Sequence, residues 1–176
     1  VNLESTFIQF KRMVRDLGKQ SGKETKLLIS GADTEIDKNM IEKINDPLKH
    51  IIRNAMDHGI EKKKDRIGKK KNEVGTINLK ASYRAGNVVI EVEDDGAGIN
   101  RDRLLKKAFE RNIINKSDQL SDNEINKLIF HPGLSTAEKI TDISGRGVGM
   151  DVVVSNIKEI NGNIEVESEK DRGTKI

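Results

Sequence analysis

Cysteine and tryptophan are absent from the chain; proline occurs twice and tyrosine once. Without cysteine there is no disulfide framework and no thiolate metal centre. That composition fits a reducing cytoplasm, and a cytoplasmic location is expected. Aromatic residues make up only 3%, too few for the stacking platforms that hold single-stranded nucleic acid. The 32 basic and 29 acidic residues leave a net charge of +3, a balance too mild to mark a nucleic-acid surface. No apolar stretch approaches the ~20 residues that cross a bilayer. No signal peptide opens the chain, so no direct membrane insertion is expected. The first residue is Val1, and the last, Ile176, falls inside an apparent strand. The chain therefore reads as one domain excised from a larger multidomain protein.

What is present is a modest core under a wet surface, with 34% hydrophobic and 35% charged residues in 176. That length suits one domain of ordinary size. The most informative stretch is Asp46 to Gly59, DPLKHIIRNAMDHG. It reads as a helix with Asp46 as cap, Pro47 in the first position and Gly59 closing it in a left-handed conformation. Leu48, Ile51, Ile52, Ala55 and Met56 form a core-facing stripe. His50, Asn54 and His58 fall at i, i+4 and i+8 on the other side, beside Arg53 and Asp57. Asn and His are poor helix formers, so three in register mark either a site or an unusual polar surface.

Elsewhere, Leu3 to Leu17 reads as an amphipathic helix and Lys26 to Ser30 as a strand. A helix is expected from about Asp37 to Ile44. The basic run Glu61 to Glu73 reads as a solvated loop or frayed helix end. Thr76–Tyr83 and Asn87–Asp94 alternate as a hairpin turning at Arg84–Gly86. Arg101 to Arg111 is helical. Ser121 and Glu124 stand at capping-box spacing at the head of a helix reaching Phe130. His131 to Gly149 is irregular, Met150 to Ile160 helical, and Asn163 to Glu169 and Arg172 to Ile176 are strands. Helices alternating with antiparallel strand pairs predict an α/β two-layer sandwich, a mixed, mainly antiparallel sheet with helices on one face.

Period-two counting puts Asp94 on the same face as Val88, Ile90 and Val92. A carboxylate there costs several kcal/mol unless something donates to it, and a preset acceptor suits a ligand amino group such as that of adenine. Asp95 points outward as a turn residue. Gly96 and Gly98 permit close backbone approach, although Asp-Asp-Gly-Ala-Gly alone reads equally as an ordinary turn. Gly145-Arg-Gly-Val-Gly149 opens a helix and offers free N–H groups to phosphate, or is simply a flexible loop. Asn54 is a sufficient protein ligand for Mg²⁺ where phosphate oxygens and water complete the shell.

In order, the helix with His50 and Asn54, D-x-G-x-G, Phe130-His-Pro-Gly, G-x-G-x-G and Gly173-Thr174 resemble a known set. It is that of the ATP-binding domain shared by histidine kinases, Hsp90, DNA gyrase and MutL. HIIRNAMDHGIE, VEDDGAGI, IFHPGLSTAEKITDISGRGVGMDVV and INGNIEVESE are similar to the CheA family of chemotaxis histidine kinases. The resemblance implies a Bergerat-type fold with a mobile ATP lid at about 117–145, and binding of ATP and Mg²⁺. It implies that Asp94 accepts from the adenine amino group, that Asn54 holds Mg²⁺ and that His50 assists phosphoryl transfer, Asn54 and His50 being the catalytic pair. It places Arg53, Asp57, His58, Gly96, Gly98, Ile99, Arg103, Lys107 and Thr174 against the nucleotide. Ser144, Gly145, Arg146, Gly147, Val148, Gly149 and Met150 join them. Leu134 stands where the family has a second aromatic, so lid docking is expected to differ.

None of the three histidines matches the phosphorylated one of such kinases. The acceptor is therefore expected on a separate phosphotransfer domain in trans, with response regulators and a receptor-coupling protein as partners of the parent. That parent is expected to be a homodimer through a domain outside this chain. Two rivals remain: an ATPase switch of the Hsp90 or MutL kind, opposed by His50 where those carry glutamate, and a nucleic-acid module using Lys62 to Lys71.

Overall fold

The computed structural model describes residues 1–115, 118–134 and 150–176. α1 (Glu4–Ser21) buries Phe7, Phe10 and Val14 and ends at Gly22, whose φ of 70° supplies the left-handed cap. β1 (Thr25–Ser30) follows, then α2 (Lys38–Asn54), a turn of π-helix at Ala55–Gly59 and the short α3 (Lys63–Gly68). β2 (Gly75–Arg84) and β3 (Asn87–Asp94) make the hairpin. Ala85 and Gly86, at φ 50° and 82°, form the two-residue turn that matches strand twist. α4 (Arg101–Glu110), α5 (Asp122–Lys127), single 3₁₀ turns at Leu128–Phe130 and Pro132–Leu134, α6 (Met150–Glu159), β4 (Glu167–Glu169) and β5 (Gly173–Lys175) complete the order.

The sheet runs β1-β2-β3-β5-β4. β1 pairs parallel with β2, and the other three pairings are antiparallel. The parallel pair needs a crossover, which α2 provides. Leu27, Ile77, Leu79, Ala81 and Val92 on one face join Phe7 and Phe10 of α1, Leu48, Ile51 and Ile52 of α2, and Val153 of α6 in one core. The opposite face carries the exposed Leu28, Asn78 and Lys80, so the helices pack on one side. A second, smaller cluster of Leu104, Ala108, Ile125 and Leu134 joins α4 to α5 and the turn after it. Ser121 caps α5 with the reciprocal capping box, its side chain accepting from the Glu124 N–H while Glu124 reaches back.

Three expectations are corrected. The two helices predicted at 37–44 and 46–59 are one. Asp37, not Asp46, caps it, accepting from the Asn39 N–H at 2.8 Å, and Pro47 lies buried inside. Its missing N–H deprives only the carbonyl of Lys43, an exposed residue. Burial of Ile44, Leu48, Ile51 and Ile52 along one stripe carries the helix through. Gly59 does not adopt a left-handed conformation: the helix ends in a π turn closed by Ile60 N–H to the Ala55 carbonyl at 2.8 Å. The strand expected from Asn163 pairs only from Glu167, because β5 offers partners only between Gly173 and Lys175.

Candidate functional site

Asp94 ends β3 opposite Ile77, in line with Val92 opposite Leu79 and Ile90 opposite Ala81. The pleat therefore turns it toward the core, where it is 7% exposed. Oδ1 accepts the Gly96 N–H at 2.9 Å, and the Thr174 N–H also donates to the carboxylate. Burial pushes the carboxyl up to about 6; these two donors oppose the rise, while Asp95 and Glu61 add to it.

Gly59 lies against this carboxylate. A Cβ there would sit 3.0 Å from the Asp94 carboxyl carbon and both its oxygens. A Cβ on Gly96 would lie 2.0 Å from the Gly59 carbonyl oxygen, which accepts the Ala97 N–H at 2.8 Å. On Gly173 it would meet the Asp94 carbonyl oxygen at 1.8 Å. These glycines are thus explained by close approach of three backbones.

The same helical run carries His50 and Asn54. Asn54 ends α2 five residues before Gly59, the π-turn residue that meets the Asp94 carboxylate. Asn54 is half-buried, and its side chain has no hydrogen-bond partner among the described residues. His50 is half-buried; burial and Arg53 hold its imidazole below the usual range, while Asp151 of α6 pulls the other way. Asp57 is exposed. Partial burial lowers the His58 pKa too, with Lys23, Lys107 and Arg103 adding to the effect against Asp57. The two cations of α4 therefore act on His58 of the π turn. Asn100 caps α4, accepting from the Arg103 N–H at 3.1 Å.

Ser168 ties the glycine loop to the β4–β5 hairpin. Its Oγ accepts the Ile99 N–H at 2.8 Å and lies 3.0 Å from Thr174 Oγ1. Gly98, at φ 78°, passes so near β4 that a Cβ would be 2.4 Å from the Glu169 carbonyl oxygen. Met150 is buried in the main core. Ser144, Gly145, Arg146, Gly147, Val148 and Gly149 lie outside the described residues, as does the 117–145 lid except for 118–134. Leu134 is 2% exposed and fills the smaller cluster.

Sequence reasoning missed one group. Asp95 is not a free turn residue, and Glu61 to Glu73 is not merely a solvated loop. Arg66 is 1% exposed and bonds the Asp95 carboxylate at 3.1 Å and Glu61 at 3.0 Å. Lys71 bonds Glu61 at 2.7 Å. An arginine among six lysines carries no pattern that separates it from a solvated run. Its partners, Glu61 five residues before it and Asp95 29 residues after it, give no local signal either. Lys23, which donates to the carbonyls of Met56 and Asp57 at 3.0 Å each, was missed as well.

Residues 43–176 match the family described as histidine kinase-, DNA gyrase B-, and HSP90-like ATPase. The chain belongs to this family. Within it, 174 residues, 99% of the chain, are 49% identical to 26% of the chemotaxis protein CheA of Salmonella typhimurium. All but 1% of the chain is 48% identical to 26% of CheA of Bacillus subtilis. The sensor histidine kinase CheAY of Helicobacter pylori is 48% identical over 96% of the chain and 21% of its own length. The chain thus spans about a quarter of the length of these relatives. The catalytic domain of histidine kinase ThkA superposes over 99% of this chain and 88% of its own, with a TM-score of 0.59 at 14% identity. That likeness establishes the fold.

Proposed function

We propose that residues 1–176 are the ATP-binding catalytic domain of a chemotaxis histidine kinase. It binds Mg-ATP and passes the γ-phosphoryl group to a histidine on a separate phosphotransfer domain. The observation that carries this reading is the Asp94 carboxylate, buried, held by two N–H groups and faced by Gly59 on the helix that bears Asn54. An ionised carboxylate only accepts hydrogen bonds, so Asp94 selects a purine bearing an amino group over one bearing an oxo group.

The donor set suits Mg²⁺ held mainly by a ligand's own oxygens. No group of three His, Cys, Asp or Glu side chains converges among the described residues, and Asn54 offers one uncommitted amide oxygen at the helix side. When bound there, the ion supplies neutralisation of phosphate charge. His50, held neutral at pH 7 by its lowered pKa, has a ring nitrogen able to accept a proton from an incoming imidazole or to orient it. Arg103 and Lys107 of α4 supply positive charge that reaches His58 on the π turn. The relatives' names support the chemotaxis assignment. The nucleic-acid alternative loses three of its six lysines, since Lys63, Lys69 and Lys71 are each paired with a carboxylate.

Calorimetric titration with ATP and ITP in Mg²⁺ tests the reading. ATP is expected to bind at least tenfold more tightly, and Asp94→Asn to lose that preference. Equal affinity for the two nucleotides in the unmodified chain would refute it.

A further inference from the structure

Arg66, Lys71 and Glu61 form a charge cluster that the nucleotide-site reading leaves unused. Arg66 Nη1 donates to Glu61 at 3.0 Å and to the Asp95 carbonyl at 3.2 Å; Nη2 donates to the Asp95 carboxylate at 3.1 Å and Nε to the Asn72 carbonyl at 2.6 Å. Lys71 Nζ donates to the carbonyls of Asp95 and Gly96 at 3.1 and 2.8 Å and to Glu61 at 2.7 Å. Glu61, its side chain 6% exposed, also accepts from Lys69 at 3.3 Å. The other Asp95 carboxylate oxygen accepts the Thr76 N–H at 2.9 Å.

These contacts orient two peptide planes. In a trans peptide the carbonyl and the following N–H point in opposite directions. Arg66 and Lys71 draw the Asp95 carbonyl to one side, so the Gly96 N–H points to the other, onto Asp94 Oδ1 at 2.9 Å. Lys71 draws the Gly96 carbonyl, so the Ala97 N–H points onto the Gly59 carbonyl at 2.8 Å. One bond thus aims the base-selecting carboxylate, and the other seats the helix end against it.

We propose that Arg66 and Lys71, braced by Glu61, are positioning residues for base selection: they fix the two peptide planes that aim the Asp94 carboxylate at an amino-bearing purine. This rests on the nucleotide reading above. The charges acting on Asp94 are Asp95 on its own strand end and Glu61 from the segment after the π turn; Arg66 of α3 pairs with both, and Lys69 and Lys71 pair with Glu61. The helix end meets it through Gly59 and β5 through the Thr174 N–H. Asp95 and Glu61 push the Asp94 carboxyl upward; the cations paired with them oppose that push.

The test titrates the 176-residue chain with ATP and ITP from pH 5 to 8. Lys71→Met, at a side chain 16% exposed, is preferred to the buried Arg66, whose loss risks unfolding. It is expected to weaken ATP several-fold at pH 7, to reduce the ATP-over-ITP preference and to move the pH midpoint of ATP binding up by ~0.5–1 unit. Glu61→Gln is expected to move the midpoint down, and Lys71→Arg to restore the ATP preference. A merely structural cluster would weaken both nucleotides equally and leave the midpoint in place, and that result overturns the inference. Unmodified chain that binds no ATP overturns the nucleotide reading, and the inference with it. Normal binding by the unmodified chain with unmoved variants overturns the inference alone.

Discussion

Replacing Asp94 by Asn measures what the fold gives up to keep an ionised acceptor in its interior. The carboxyl stands at about 6 against an ordinary 3.8, mainly through burial. Between those two values the folded chain holds a proton that the unfolded chain has released. Stability therefore falls as pH rises from about 4 to about 6, and a constant penalty remains above. A rise of that size is worth about 3 kcal/mol. Asn does not titrate. It also has a single acceptor oxygen for the N–H groups of Gly96 and Thr174, a loss of about 1 kcal/mol at every pH. That constant cancels when the two proteins are compared across pH. So do His50 and His58, whose lowered values make stability rise with pH up to about 6.5 in both proteins. The assay is urea unfolding of both proteins at pH 4 and 7.5, followed by circular dichroism. The difference in unfolding free energy is expected to move in favour of Asp94→Asn by about 2.5 kcal/mol between the two pH values, since the unfolded carboxyl is still partly protonated at pH 4. A difference that stays constant with pH would refute the assignment of a raised carboxyl to Asp94.

Gly59→Ala places a methyl 3.0 Å from the same carboxylate at a helical position. It should change stability by no more than about 1 kcal/mol yet weaken ATP about tenfold or more, read by thermal melting beside calorimetric titration. Asn54→Ala should abolish the gain in ATP affinity on adding Mg²⁺ while leaving metal-free affinity intact; retained Mg²⁺ dependence removes Asn54 from the metal role. Arg101→Met strands Asn126, 3% exposed, whose side-chain oxygen accepts from Arg101 Nε at 3.1 Å. It should cost about 1–3 kcal/mol in urea. Ser121→Ala removes the capping box and should cost about 1 kcal/mol, seen as faster hydrogen exchange confined to 122–127.

Local periodicity made much of this architecture readable. The alternation through Val88, Ile90 and Val92 placed Asp94 inward, and the register with Ile77 bears that out. Ser121 and Glu124 gave the α5 cap, and Ala85-Gly86 the hairpin turn. Where the reading erred, tertiary contacts outweighed local signals. Pro47 reads as a helix start, but the apolar stripe on both sides of it buries one continuous helix. Gly59 reads as a left-handed cap, but its place follows from the Asp94 carboxyl, whose atoms stand 3.0 Å from where a Cβ would be. Arg66 was hidden in a basic run because its partners, Glu61 and Asp95, converge on it only after folding.

The most direct measurement of the central claim is phosphoryl transfer. The chain, Mg²⁺ and γ-labelled ATP are mixed with a separately produced histidine phosphotransfer domain, and acid-labile, base-stable label on that domain is counted. The account predicts label on the acceptor histidine, lost with Asp94→Asn and with Asn54→Ala, and little phosphate release when the acceptor is left out. ATP that binds and is hydrolysed at the same rate with or without the acceptor, leaving the acceptor unlabelled, would contradict it.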